Sequence, residues 1–290
     1  MQRIVFYLVY PLLYLIALLP FWAMYLLSDA LFYLFKISGY RKNVVKTNLK
    51  NSFPEKSEKE IEELCDKYFR YLCDLTLETL KTLTMTEKEA SEHCVYHPAD
   101  WLDKMFEEKR SIIIVMGHYG NWEWAGPSFS LYKKYQLIVI YRPLTNPYFE
   151  SMMTRMRTKF GTKITPADLT LRDMVANRRN LTATALIADQ AATTTNPYWT
   201  TFLNQETSVY NGPEKLAVKF NYPVVYMRVE RKSRGYYDLT PELLFENPAT
   251  TAEGEILEKF TRRLEEQIIK DPVIWLWSHK RWKHKRPPQQ

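Results

Sequence analysis

Of the five histidines in the chain, His118 stands where chemistry gathers. It closes the apolar run Ile112-Ile-Ile-Val-Met-Gly-His118 and is followed by Tyr119-Gly-Asn-Trp-Glu123-Trp124. An apolar strand that ends on Gly-His and turns through Gly120 into a helix beginning near Asn121 exposes the imidazole at the carboxyl edge of a sheet. Asn121 is a competent N-cap, and Glu123 falls in the first helical turn, where the dipole favours a carboxylate. On a continuous helix the five-residue offset would separate the two side chains. Across a tight strand-to-helix turn the carboxylate folds back onto the imidazole. The pattern therefore predicts a general base, His118, with an orienting acid, Glu123.

The other candidates are weaker. His93, Cys94 and His97 sit in Glu92-His-Cys-Val-Tyr-His-Pro98, which alternates like an edge strand and places the two histidines on one face with Cys94 on the other. No spacing supplies a fourth ligand, so the segment is not read as a metal site. His279 and His284 lie in a basic tail and are expected to be solvated or interfacial. Cys65, Cys73 and Cys94 are an odd set without a C-x-x-C pair, which argues against a disulfide framework and for a reducing compartment. Nothing resembles a Ser or Cys nucleophile elbow.

Elements that position these residues follow from periodicity. Short apolar runs at 111–116, 136–141, 181–188, 223–229, 236–239 and 273–277 read as strands. Helical patterns occupy 57–83, 122–132, 147–160, 169–177, 213–220 and 253–270. Alternation of this kind predicts an α/β fold with a mostly parallel central sheet flanked by helices. In such sheets ligands gather where strands end and helices begin, which is where His118 falls.

The amino terminus is different. No charge occurs between Arg3 and Asp29, and residues 4–27 are apolar or aromatic but for Pro11 and Pro20. A continuous helix of that length reaches roughly 36 Å, enough for a hydrocarbon core of roughly 30 Å. The expectation is an N-terminal membrane helix over residues 1–35, spanning or lying kinked in the interface, followed by an α/β domain over 36–290 with a basic aromatic tail. Lys36, Arg41, Lys42, Lys46 and Lys50 form one basic block, and Lys280, Arg281, Lys283, Lys285 and Arg286 another. These ten charges exceed the net +7 of the whole chain, so the body is slightly acidic. That distribution excludes a nucleic-acid binder and predicts contact with an anionic membrane surface, the chain remaining on its cytoplasmic side.

Gly117-His118-Tyr119-Gly120-Asn121-Trp122-Glu123 resembles the H-x4-E motif of the bacterial lipid A biosynthesis acyltransferases, the late lauroyl/myristoyl acyltransferases. The likeness continues through Tyr40-Arg-Lys-Asn-Val-Val-Lys-Thr-Asn-Leu with Phe53-Pro54-Glu55, Tyr141-Arg142-Pro143 with Asn146-Pro147, and Ala188-Asp189-Gln190. Asn211-Gly212-Pro213 with Leu216-Ala217, and Trp275-Leu-Trp-Ser-His279-Lys-Arg281-Trp282, complete the series in order. After Gln190 the sequence departs from the family pattern: Ala191-Ala-Thr-Thr-Thr-Asn-Pro-Tyr-Trp-Thr-Thr-Phe202-Leu203-Asn204 replaces a shorter glycine-bearing stretch, and it reads as an acceptor-facing loop.

The resemblance implies an acyltransferase of the bacterial inner membrane that moves a fatty acyl chain from an acyl carrier protein thioester to a hydroxyl of a lipid A precursor. His118 is the implied base and Glu123 its partner. Arg142, Asn121, Asp189 and Gln190 are the expected substrate-binding residues, Arg142 holding a phosphate and Asp189 and Gln190 orienting substrate or bracing the site. Direct transfer needs no cofactor or metal. Other acceptors of the same chemistry are an aminolipid, a phosphoglycolipid or a lysophospholipid, and the other classes are a membrane thioesterase and a non-catalytic lipid-binding protein.

Overall fold

In a computed structural model, residues 2–192 and 197–286 are described. The chain opens with helices α1 (Gln2–Leu18), α2 (Phe21–Ser38), α3 (Lys42–Ser52), α4 (Glu58–Lys81) and α5 (Glu87–His93). Then follow β1 (Cys94–Tyr96), α6 (Asp100–Glu107), β2 (Ile112–Met116), α7 (Trp122–Leu131), β3 (Gln136–Tyr141), α8 (Pro147–Thr158) and β4 (Lys163–Pro166). The last part comprises α9 (Thr170–Ala176), β5 (Thr182–Ile187), β6 (Tyr198–Phe202), β7 (Gln205–Val209), α10 (Gly212–Phe220), β8 (Val224–Ser233), β9 (Tyr236–Phe245) and α11 (Glu255–Lys270).

Seven strands form one sheet in the order β1-β9-β8-β2-β5-β3-β4. Strands β8, β2, β5, β3 and β4 run parallel; β9 returns antiparallel to β8 and carries β1 beside it. The expected α/β sheet with flanking helices is therefore present, with one antiparallel turn at its β9 side. β2 is buried along its whole length, which is why its sequence is a continuous apolar run and does not alternate. One face of the sheet packs on α3, α4 and α11 around Tyr68, Val115, Tyr226, Phe260 and Trp277; the other packs on α7 around Ile114, Trp124, Phe129 and Leu137.

Two expectations need correction. The amino-terminal apolar stretch is not one helix: α1 ends at Leu18 and α2 starts at Phe21, because Pro20 lacks an N–H and disfavours helical geometry in the residue before it. Among the described residues no helix is long and apolar enough to cross a membrane. Both helices dock on the body. Ser28 Oγ donates to Asp74 at 2.6 Å, Tyr25 donates to Glu78 at 2.9 Å, and Lys81 Nζ donates to the Leu19 carbonyl at 2.9 Å, where it also favours the carboxyl end of α1.

The run 273–277 is not a strand either. A 3-10 turn over Pro272–Ile274 leads to a single antiparallel bridge between Trp275 and Tyr119. Trp275 and Trp277 are buried by folding back onto the body, so their hydrophobicity reflects packing and carries no pleated periodicity. The basic blocks are also less open than their sequence implies. Lys36 pairs with Asp66 at 2.5 Å, Lys46 with Glu62 at 3.2 Å, Lys42 with Glu62 and Lys50 with Glu58, while Arg281 is buried.

Candidate active site

The site begins where β2 stops. Gly117 lets the chain pass against α11 and β5, since a Cβ there would lie 2.7 Å from a Leu264 methyl and 3.3 Å from Asp189 Oδ2. Gly120 adopts φ +58° and would bring a Cβ within 2.6 Å of Val229, so the turn out of the strand needs glycine for both conformation and space. Between these two glycines His118 projects at the carboxyl edge of the sheet, its side chain 18% exposed.

Asp189 meets His118 from just past the end of β5, the neighbouring parallel strand. Its Oδ1 accepts from His118 Nδ1 at 2.6 Å, and its Oδ2 accepts from the His118 backbone N–H and the Trp275 indole, each at 2.8 Å. Burial would push this carboxyl up, but the imidazole, the backbone N–H and the indole outweigh it and hold Asp189 below its usual range. An ionised carboxylate accepts only, so the Nδ1 proton is the one donated. The lone pair is left on Nε2, toward which the Gln190 amide points at 3.4 Å. Trp122 stands edge-on to the imidazole with centroids 5.0 Å apart.

Glu123 does not fold back onto His118. It receives a two-pronged ion pair from Arg157 of α8, Nη2 to Oε1 at 2.6 Å and Nε to Oε2 at 3.0 Å. The orienting position expected for Glu123 is held by Asp189, because the strand register delivers Asp189 to Nδ1 while the first turn of α7 delivers Glu123 to α8. Asn121 is the N-cap of α7, as its type predicts, its Oδ1 accepting from Trp124 N at 3.0 Å. It is fully buried and its Nδ2 donates to Glu78 at 2.8 Å, so both ends of the amide are occupied and the expected substrate contact is not available to it. Arg142 sits exposed just past β3, at the same sheet edge, on the loop that Glu150 fastens by accepting from Leu144 N at 2.8 Å.

Three further groups join the site without having been predicted for it. Trp275 and Arg157 are named above. His279 is half-buried; burial pushes its imidazole down to about 4, with Asp189 and His118 close enough to act on it. The carboxyl-terminal segment is fastened across the fold by Asn48, whose Nδ2 donates to the carbonyls of Trp277 at 2.8 Å and His279 at 3.0 Å, and by Arg281, which donates to the Ser208 carbonyl at 2.8 Å. The backbone of the segment reaches the turn after β2 directly, Leu276 N donating to the His118 carbonyl at 3.1 Å. The aromatic spacing of Trp275, Trp277 and Trp282 is the signal that the sequence carries for this packing.

The departure after Gln190 leads into β6, which pairs antiparallel with β7, and Phe202 and Leu203 at the turn between them are buried. Thr193, Thr194, Thr195 and Asn196 of that stretch lie outside the described residues. His93 and Cys94 belong to the core, His93 lying between the rings of Phe21 and Tyr236 with centroids 3.8 and 4.5 Å away.

A family model described as bacterial lipid A biosynthesis acyltransferase matches residues 1–284. The chain belongs to this family. Two similar proteins are the lipid A biosynthesis palmitoleoyltransferase of Escherichia coli K12 and the lipid A biosynthesis acyltransferase of Shigella flexneri. Each is 24% identical over 247 residues, which cover 84% of this chain and 79% of the relative. Membership makes the protein an acyltransferase of lipid A synthesis. The His118–Asp189 arrangement lies at the carboxyl edge of its sheet, where the H-x4-E motif of this family member leaves β2.

Proposed function

We propose that the protein moves a fatty acyl chain from an acyl carrier protein thioester to a hydroxyl of a lipid A precursor, at the cytoplasmic face of the bacterial inner membrane. The observation that carries this reading is the His118 Nε2 lone pair, presented at the sheet edge by a buried, ionised Asp189 that holds Nδ1 at 2.6 Å.

A thioester already contains a good leaving group. The enzyme must remove the acceptor hydroxyl proton as its oxygen attacks the acyl carbonyl, and His118 Nε2 takes that proton. The imidazolium so formed sits against the Asp189 carboxylate, and it returns the proton to the departing thiolate when the tetrahedral intermediate collapses. General-base catalysis of this kind contributes on the order of 10² to 10⁴ in rate, and positioning of the two substrates supplies much of the remainder. Gln190 beside Nε2 orients the incoming hydroxyl, and Arg142 holds a phosphate of donor or acceptor. Glu123 and Arg157 lock the start of α7 to α8 and so fix one wall of the cleft.

The amino-terminal helices act as the membrane anchor of this reading. Ile4, Leu8, Leu12 and Leu15 follow helical spacing along α1, and all four are exposed. Such a stripe on a helix docked to the protein favours an interfacial position, its apolar face sunk about 5–10 Å into the headgroup boundary.

Incubating the purified protein with acyl-loaded carrier protein, acyl-coenzyme A or neither, together with fractionated bacterial membrane lipids, tests the proposal. A lipid A precursor gaining one acyl chain by mass spectrometry, with carrier protein as the efficient donor, is the expected result. Acylation of another lipid, equal use of both donors, or release of free fatty acid without any acylated lipid would each refute the corresponding part.

A further inference from the structure

A cavity of about 520 Å³ contains none of the site residues described above. It is lined by Lys67, Arg70, Tyr71 and Asp74 of α4, Asp29 of α2, and Arg231, Ser233 and Arg234 at the end of β8. Spacing on α4 places Lys67, Arg70, Tyr71 and Asp74 on one helical face. Four cations thus face two carboxylates, and one cation uses both of them: Arg234 donates to Asp29 at 2.8 Å and to Asp74 at 2.6 Å. Lys67 and Arg70 have no carboxylate within 4.0 Å among the described residues; Arg70 lies over the Phe32 ring at 3.9 Å. Arg231 lies 5.6 Å from the Tyr71 ring centroid and pairs with Asp271 at 3.5 Å. The cavity is a concave, net positive site with guanidinium and ammonium donors, the set that matches phosphate oxygens.

Its surroundings identify what kind of phosphate. Trp22, Leu26, Asp29 and Tyr33 follow one another along α2 at spacings that share a face. Trp22, Leu26 and Tyr33 are 69%, 62% and 58% exposed, so Asp29, which Arg234 neutralises, interrupts an otherwise apolar exposed stripe. The rim of a basic cavity therefore merges with a surface suited to acyl chains. A soluble phosphate would use the first feature and leave the second without purpose.

We propose that this cavity binds the phosphate headgroup of an anionic membrane phospholipid, with the acyl chains lying along the Trp22–Leu26–Tyr33 face of α2, at a site separate from that of acyl transfer. Lys67, Arg70 and Arg231 hold the phosphate, and the Arg234 bridge to Asp29 and Asp74 forms the wall behind it. Tyr71, which lines the cavity, donates its hydroxyl to the Gly120 carbonyl at 2.6 Å. The proposal does not depend on the identity of the acyl acceptor.

Native mass spectrometry of the full-length protein in a mild detergent tests it, with dioleoyl phosphatidic acid, dioleoyl phosphatidylcholine and glycerol 3-phosphate as probes. Phosphatidic acid should be retained at one molecule per chain. Its affinity should fall about fivefold in Lys67→Gln and about thirtyfold in Lys67→Gln/Arg231→Gln, the effect of removing one and two nearby charges. Lys283→Gln/Lys285→Gln, which removes the same charge from the exposed tail, should leave affinity within about twofold. Because Lys67 is exposed, its single variant decides the matter should the Arg231 replacement disturb folding. Equal losses in the pocket and tail variants would overturn the site. Glycerol 3-phosphate binding as well as phosphatidic acid would make it a soluble-anion site, and phosphatidylcholine binding equally would reduce it to apolar partition; either result overturns the proposal. No acyl transfer enters the readout, so its failure and failure of the proposed reaction are separate results.

Discussion

His118 and Asp189 are 71 residues apart, and that is also the register offset of the two strands that carry them. Met116 of β2 is level with Ile187 of β5, so continuing both strands by two residues brings the imidazole level with the carboxylate. One oxygen of Asp189 takes the ring N–H and the other takes the backbone N–H of the same residue, which fixes both the tautomer and the position of the turn.

Replacing Asp189 with Asn keeps the shape and removes the charge. Asn has one acceptor oxygen for three donors, and the imidazolium formed during transfer loses its counter-charge. We expect kcat to fall by about 10² to 10⁴ with little change in KM. Steady-state acyl transfer checks this, with circular dichroism to confirm that the fold survives. An Asn variant of near wild-type activity would remove Asp189 from the mechanism.

In the proposed mechanism Asp189 acts through His118, so the two should behave as one unit. The double variant His118→Ala/Asp189→Asn is expected to be little slower than His118→Ala alone. Glu123 belongs to a different unit with Arg157, so the defects of Glu123→Gln and His118→Ala should multiply. A Glu123→Gln defect that vanishes in the His118→Ala background would restore Glu123 as the acid that serves the base.

What was legible in the sequence was what is local. The uninterrupted apolar run of β2 and the N-cap at Asn121 are encoded within a few residues of where they act. The partner of His118 is not, because it depends on which strand lies beside β2, and the order β8-β2-β5-β3 is a property of the whole sheet. Glu123 was the nearest carboxylate in sequence, and Asp189 is the nearest in space. Proline gave the same lesson at the amino terminus. Hydropathy over residues 4–27 describes a span, whereas Pro20 divides it into two helices that α4 then holds through Lys81, Asp74 and Glu78.

Glu78 has a measurable pH signature. It is buried beside the start of α7, accepting from Tyr25 and Tyr237 at 2.9 Å and from Asn121 at 2.8 Å. Burial pushes its carboxyl up to about 7, its hydrogen-bond donors opposing only in part. The folded state therefore holds this proton to higher pH than the unfolded chain, whose Glu titrates near 4.3. Stability from this group is complete below about 4.3 and is lost as pH rises through about 7. Glu78→Gln should flatten that decline, so the stability difference between variant and wild type should shift in favour of Gln by about 2–4 kcal/mol between pH 5 and 8. Denaturant unfolding at the two pH values measures it, and parallel pH dependences would show that Glu78 stays ionised throughout.

The anchoring role of α1 can be tested without removing the helix, which is important because Phe6 and Ala17 are buried and the Leu19 carbonyl is tied to Lys81. Leu8, Leu12 and Leu15 are 74%, 58% and 62% exposed, so Asn at these positions disturbs little packing and should change folding stability by no more than about 0.5 kcal/mol each. In a bilayer interface each leucine contributes roughly 1.5–3 kcal/mol when fully buried, and the triple Asn variant loses most of that. Flotation with phosphatidylcholine vesicles should collapse for the variant and persist for the wild type. Raising salt should change the wild-type result little, since phosphatidylcholine carries no net charge and the contact made by these leucines is apolar. Unchanged flotation of the triple variant would place the membrane contact elsewhere on the molecule.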